Sequence, residues 1–169
     1  MCQRAGMHRN VVAVVEAARA LGLVIEPQEF PSGTRTAEDA ARAIGVAVGQ
    51  IVKSLVFAVD GTPVVALVSG SNQLDEAKLA TAAGGAEARR VDADTVRAVT
   101  GFPVGGVPPL GHRQTLAVFV DRDLLDHDVV WAAAGTPHIN FAVAPPALIA
   151  ATRATVCDLA HSPDRAASG

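Results

Sequence analysis

The chain has only two lysines, Lys53 and Lys78, beside twelve arginines, and Lys53 interrupts an apolar run over residues 51–59, IVKSLVFAV. An ammonium set there has three outlets: it snorkels to water, pairs with a carboxylate, or meets an anionic ligand, because burying it alone is very costly. The plain reading is a strand-end lysine whose head reaches solvent. The chemical reading is a cation placed for a negatively charged guest. Ser54 follows directly, but on a strand its side chain points to the opposite face, so a Ser-Lys dyad is not expected. A second segment with chemical capacity is GFPVGGVPPLGH, residues 101–112, with four glycines and three prolines in twelve positions. Its paired glycines, Gly105 and Gly106, let a ligand approach the backbone, and their N–H groups can bind a carbonyl oxygen or a phosphate. The same composition also suits an ordinary tight connection between a helix and a strand.

A third segment, AAAGTPH at residues 132–138, offers small side chains for a pocket wall, with Gly135 admitting close contact; it also reads as a plain strand turn. His112 and His138 lie beside these loops and are the groups able to titrate near neutrality, although a lone loop histidine is more often a surface residue than a catalytic one. Asp121, Asp123, Asp126 and Asp128 form an acidic run without metal-loop spacing and read as a solvated turn. No HExxH or Cys/His cluster is present, so neither a metal nor another cofactor is expected.

The elements that must position these residues follow from periodicity. A helical stripe over residues 10–21 stops at Gly22. Residues 23–30 read as a strand, and Thr36 with Asp39 opens a capped helix that ends near Gly45. Residues 51–59 form a strand apolar on both faces, expected to be covered on both sides. Asp60-Gly61 turns it into an antiparallel return strand over 63–69. Helices over 74–83 and 92–100 flank a short strand at 88–91. Further strands are expected at 115–120, 129–134 and 138–143, the last two separated by Gly135, Thr136 and Pro137. A helix over 145–152 opens on proline. The ends, about 1–9 and 161–169, read as loose. The sum is one domain of class α/β (mixed α+β): a mixed, partly barrel-like sheet surrounded by helices.

Composition narrows the function. With a formal charge of −3, no tyrosine and one tryptophan, a broad electrostatic or stacking grip on nucleic acid is excluded; a small pocket for one end of an RNA is not. No GxGxxG or Walker pattern supports a nucleotide fold. Cys2 and Cys157 form no disulfide framework, no signal pattern opens the chain, and no apolar run approaches spanning length, so a cytoplasmic protein without a membrane partner is expected.

Four segments in this order, IVKSLVF, LVSG…LDEAKLA, GFPVGGVPPLGH and WAAAGTPH, resemble the YbaK/EbsC family of the prolyl-tRNA-synthetase editing-domain superfamily. The resemblance spans about residues 34–151. It implies a partly barrel-like mixed sheet and an aminoacyl-tRNA deacylase that acts without an attached synthetase. Its partner would be a mischarged aminoacyl-tRNA held at its acceptor end, with transient contact with a synthetase and no DNA. The family lysine matches Lys53, and the residue after it matches Ser54. The GxxxP loop matches Gly105 to Pro109, so Lys53, Gly105 and Gly106 are implied to be catalytic. Gly101, Val107, Pro108, Pro109, Gly111 and His112 would then contact substrate. The Ser-Ala-Gly segment matches Ala133, Ala134 and Gly135, with Thr136, His138 and Asn140 beside it. Ala133 stands where a serine is common, and Asn140 lies near a position that relatives fill with aspartate or glutamine. The residues 132–134 imply a pocket for a small amino acid. No protein general base is evident, and a non-catalytic module for an aminoacyl-adenosine-like ligand, or an esterase for another small acyl ester, fits the same residues.

Overall fold

The computed structural model describes residues 8–30 and 36–162. Strand β3 (Thr62–Ser69) is its centre, because Val65, Ala66, Leu67 and Val68 are all completely buried. It is joined to β2 (Val52–Val59) by a two-residue turn in which Asp60 and Gly61 both take the left-handed conformation, the geometry that matches strand twist. β4 (Ala88–Arg90) pairs antiparallel with the end of β2, while β5 (Ala117–Asp121) runs parallel to β3.

Four more strands complete the fold. β1 (Gln28–Glu29), β7 (Ile139–Val143) and β6 (Val130–Thr136) form a separate antiparallel sheet in that order. β8 (Thr155–Cys157), which the sequence pattern did not reveal, adds parallel to β5, giving a five-stranded mixed sheet in the order β4-β2-β3-β5-β8. A single bridge between Ile51 and Trp131 joins the two sheets, and they do not close into a barrel.

Both faces of the large sheet are covered, as the apolar strands require. On one side Val52, Val56, Val65 and Leu67 pack into the main core with α1 (Arg9–Ala20), α4 (Ala93–Thr100) and the smaller sheet. On the other, Phe57, Val59, Ala66 and Val68 meet Leu79 and Ala80 of α3 (Glu76–Ala82) together with Leu159. α2 (Ala37–Ile44) covers Ile51 and Trp131. The helix ends follow local chemistry: the Thr36 hydroxyl accepts from Asp39 N–H, and Gly45 closes α2 in the left-handed region. The carboxylates of Asp75 and Asp92 cap α3 and α4. α5 (Pro145–Thr152) begins on proline as expected.

Two expectations fail for identifiable reasons. Residues 23–27 form no strand; Leu23 N–H returns to the Ala18 carbonyl to finish α1, and only Gln28 and Glu29 pair with β7. Gly135 and Thr136 do not separate β6 from β7 but belong to β6, with a register shift between Ala133 and Thr136, and the turn falls at Pro137 and His138. Of the expected loose ends, residues 1–7 and 163–169 lie outside the described residues; Arg9 begins α1, and His161 N–H donates to the Gln73 carbonyl.

Leu67→Ala should therefore lower unfolding free energy by about 2–5 kcal/mol, the usual cost of a cavity at a fully buried leucine. Urea denaturation of the two proteins measures it, and a loss below about 1 kcal/mol would contradict the central placement of β3.

Candidate active site along the free edge of β2

β4 pairs only with Phe57, Ala58 and Val59. Residues 52–56 of β2 therefore keep an edge, on the side away from β3, that has no strand partner among the described residues. A cleft of about 670 Å³ follows this edge, lined by each of residues 52–57 in turn. Its volume is that of a small-molecule site. Because the cleft meets the strand edge-on, side chains of both faces reach it. Lys53 and Ser54 share the space although they point to opposite sides of β2. The walls come from four places: Thr36 and Ala37 at the start of α2, Gln73 and Glu76 after β3, Val104, Gly105 and Val107 in the glycine-proline loop, and Ala133 and Asn140 of the smaller sheet.

Lys53 is half-buried, and its ammonium donates to the main-chain carbonyl of Asn72. The Asn72 side chain is itself fixed, donating to Asp121 Oδ2 and Asp123 Oδ2 at 2.7 Å each. Burial pushes the Lys53 ammonium below its ordinary value, while the more distant carboxylates of Glu38 and Asp121 pull it back up. Lys53 makes no ion pair among the described residues, so its charge remains for a guest. The Ser54 hydroxyl is buried and has no hydrogen-bond partner. A buried hydroxyl left unpaired costs about 1–3 kcal/mol, which a ligand on the cleft wall would recover. No Lys53–Ser54 bond forms, in keeping with the opposed faces.

The two glycines of the loop do different work. Gly105 lines the cleft with a φ of +88°, and its N–H has no acceptor among the described residues. Gly106 is buried; its N–H donates to the Pro103 carbonyl, and a Cβ there would lie 2.9 Å from Thr136 Cα. Its smallness lets the loop rest on β6, and its amide closes a turn instead of facing a substrate. Val107 lines the cleft, whereas Pro108 and Pro109 are buried away from it. Gly111 packs against Ala17 of α1, and Gly101 caps α4.

Alternation along β6 also divides the AAAG segment. Ala133 faces the cleft, whereas Ala132 and Ala134 are fully buried in the main core. Gly135 belongs to packing: its carbonyl accepts from Asn10 Nδ2 at 3.1 Å, and a Cβ would collide with Asn10. Thr136 carries a second buried hydroxyl without a partner, outside the cleft. Asn140 is the cross-strand partner of Ala133, so the two side chains stand together on the cleft wall. His138 is exposed at the β6–β7 turn. His112 Nε2 lies 2.7 Å from the Pro108 carbonyl, and burial holds its imidazole below the ordinary value against the pull of that bond. Neither histidine borders the cleft.

The model of the aminoacyl-tRNA editing domain matches residues 31–151, a span that contains every residue lining the cleft. The chain belongs to this family. The editing domain is 42% identical to a solved structure described, provisionally, as a trans-editing enzyme for prolyl-tRNA synthetase. The two superpose with a TM-score of 0.88 over 93% of this chain and all of the other. It is 38% identical over 118 residues to the proline–tRNA ligase of Citrifermentans bemidjiense, matching 68% of this chain. The editing domain spans about a fifth of the length of the proline–tRNA ligases it matches: 21% of that one and 19% of the Maridesulfovibrio salexigens enzyme. A protein of Enterococcus faecalis provisionally named Cys-tRNA(Pro)/Cys-tRNA(Cys) deacylase EbsC is 28% identical over 73% of this chain and 76% of its own length.

Sequence reasoning missed the cleft residues Thr36, Gln73, Glu76 and Arg90, and with them the anchor Asn72. The polar run after β3, Ser71-Asn72-Gln73, was the available signal for part of this set. Nothing local announced Arg90, which reaches the cleft because β4 pairs with β2.

Gly106→Ala should destabilise the editing domain by about 1–3 kcal/mol, since only backbone atoms confront the new methyl group. Gly105→Ala meets nothing nearer than Pro137 Cγ at 3.9 Å, so only the left-handed backbone strain of about 1–2 kcal/mol applies. Urea denaturation measures both losses, and a Gly106→Ala variant as stable as wild type would refute the packing role of Gly106. His112 supplies a second test. Its folded state binds a proton less readily than the unfolded chain, so its stabilisation is complete above the ordinary value near 6.5 and is lost as pH falls through it. The wild-type urea midpoint should drop between about pH 7.5 and about pH 5, and His112→Gln should flatten that dependence.

Proposed function

We propose that this editing domain hydrolyses the ester linking a wrongly attached small amino acid to the 3′ end of a tRNA, acting in trans in the cytoplasm. The observation that carries the reading is that Lys53, the unpaired Gly105 amide, Ala133 and Asn140 share one cleft. An aminoacyl ester is already activated, so holding the terminal adenosine, polarising the carbonyl and placing a water account for the reaction. Water adds to the ester carbonyl carbon, and its oxygen charge develops beside the Gly105 N–H. The carbon–oxygen bond to the ribose then breaks, the ribose oxygen takes up a proton, and the amino acid leaves as the free acid. Lys53 binds the terminal phosphate or ribose edge, and Ser54 supplies its unsatisfied hydroxyl to the same guest. Glu76, the one carboxylate lining the cleft among the described residues, suits the substrate's α-ammonium group. Ala133 and its partner Asn140 set the size and polarity of the amino-acid end. A hydrophobic wall discriminates by only about 1–3 kcal/mol per methylene, so small competing amino acids are separated modestly.

Lys53→Ala should reduce kcat/KM on a mischarged tRNA about ten- to a hundredfold, the roughly 1.5–3 kcal/mol of one charge-assisted contact to the bound guest. Release rates from tRNAs charged with alanine, cysteine, serine, threonine and proline measure both the activity and the preferred amino acid. Equal, slow release by wild type and variant across all five would leave a non-catalytic module for an aminoacyl-adenosine-like ligand.

A further inference from the structure

The glycine-proline loop has a second hollow on its other flank. This cavity, about 340 Å³, is lined by His8, Arg9 and Asn10 at the amino end of α1, by Arg97 and Gly101 at the carboxyl end of α4, and by Pro103 and Arg113. Three guanidinium groups thus arrive from three separate elements. None of Arg9, Arg97 and Arg113 makes an ion pair among the described residues, although Arg42, Arg89 and Arg122 do. No carboxylate among the described residues lines the hollow. In a chain of net charge −3, three unneutralised arginines around one concavity are a local reversal of the overall sign. Guanidinium forks suit phosphate oxygens, so the attraction rests on the arginines, since the amino end of α1 and the carboxyl end of α4 face the hollow with opposed dipoles. The loop that separates the two hollows is continuous: Gly101 and Pro103 face the arginines, while Val104, Gly105 and Val107 face the Lys53 cleft. Gly101, expected at the substrate site, lies on the arginine side.

We propose that the Arg9–Arg97–Arg113 hollow binds the phosphodiester backbone of the RNA whose aminoacylated end occupies the Lys53 cleft. This rests on the editing reading of that cleft. It resolves how a mildly acidic protein holds an RNA: a few phosphates are gripped at one cationic hollow beside the cleft, and the rest of the surface stays out of contact. A binding slope of two or three released counterions follows, far below that of a protein lined with phosphate contacts.

The test compares wild type with the double variant Arg97→Ala, Arg113→Ala and with Arg113→Glu. Both side chains are exposed and make no hydrogen bond or ion pair among the described residues, and thermal unfolding confirms that each variant folds. Affinity for uncharged tRNA is measured against salt concentration, and affinity for inorganic phosphate beside it. Deacylation is measured on a mischarged full-length tRNA and on the same amino acid esterified to adenosine alone. The double variant should lose about tenfold in tRNA affinity and flatten the log–log salt slope by about 2. Arg113→Glu, which puts a negative charge in the hollow, should weaken tRNA binding at least as much as the double variant. The loss in kcat/KM should be about tenfold larger on full-length tRNA than on the adenosine ester. Wild-type affinity and slope in the variants, with deacylation intact, would overturn the arginine site and leave the editing reading standing. Weakened tRNA binding with no deacylation by wild type would keep the site and remove the activity. Loss of inorganic phosphate binding with no change toward tRNA would make the hollow a free-anion site and also overturn the proposal.

Discussion

The site depends on an ammonium group held half-buried without a countercharge. Lys53 is fixed through a main-chain carbonyl, which satisfies one of its donors but neutralises nothing. The carbonyl is fixed in turn by the Asn72 side chain, clamped between Asp121, which is completely buried, and Asp123. Negative charge is therefore present in the neighbourhood but one residue removed from the lysine. Direct contact with a carboxylate would cancel the charge; full burial would deprotonate it. The relay through Asn72 avoids both.

The remaining architecture follows from keeping the edge of β2 open above that lysine. β4 is three residues long and leaves the edge of residues 52–56 away from β3 unpaired, and the smaller sheet bridges the chain only at Ile51 and Trp131 among the described residues, just before β2 begins. A free sheet edge normally invites association with another strand. Here α2, the turn after β3 and the glycine-proline loop enclose it, so the exposed backbone lines a cleft. Gly106 and Gly135 make the enclosure tight by allowing loop, β6 and α1 to meet at backbone distance. One loop then divides two anion-seeking hollows, one around a single lysine and one around three arginines.

Much of this was legible in the residues. The helix start at Thr36 and the Asp60-Gly61 turn are short-range events written in adjacent positions, and the structure has both. Lys53 stood out because its type contradicts its apolar surroundings. At the site the differences share one cause: glycines and small residues carry the same local signal whether they admit a ligand or a neighbouring segment. Gly106, Gly135, Ala132 and Ala134 were all read toward a pocket and all proved to serve packing. β8 was invisible because three residues pairing in parallel with a distant strand leave no periodicity to detect.

The sequence alone determined the helices, the apolar strand pair at the centre and the presence of one anomalous lysine, since each is decided by neighbours in the chain. Only the tertiary structure decided which edge of β2 stays open, which glycine amide remains unpaired, and that Arg9, Arg97 and Arg113 converge. Those outcomes depend on segments up to 104 positions apart meeting in space, and no local preference of a residue encodes the partner it will meet across the fold.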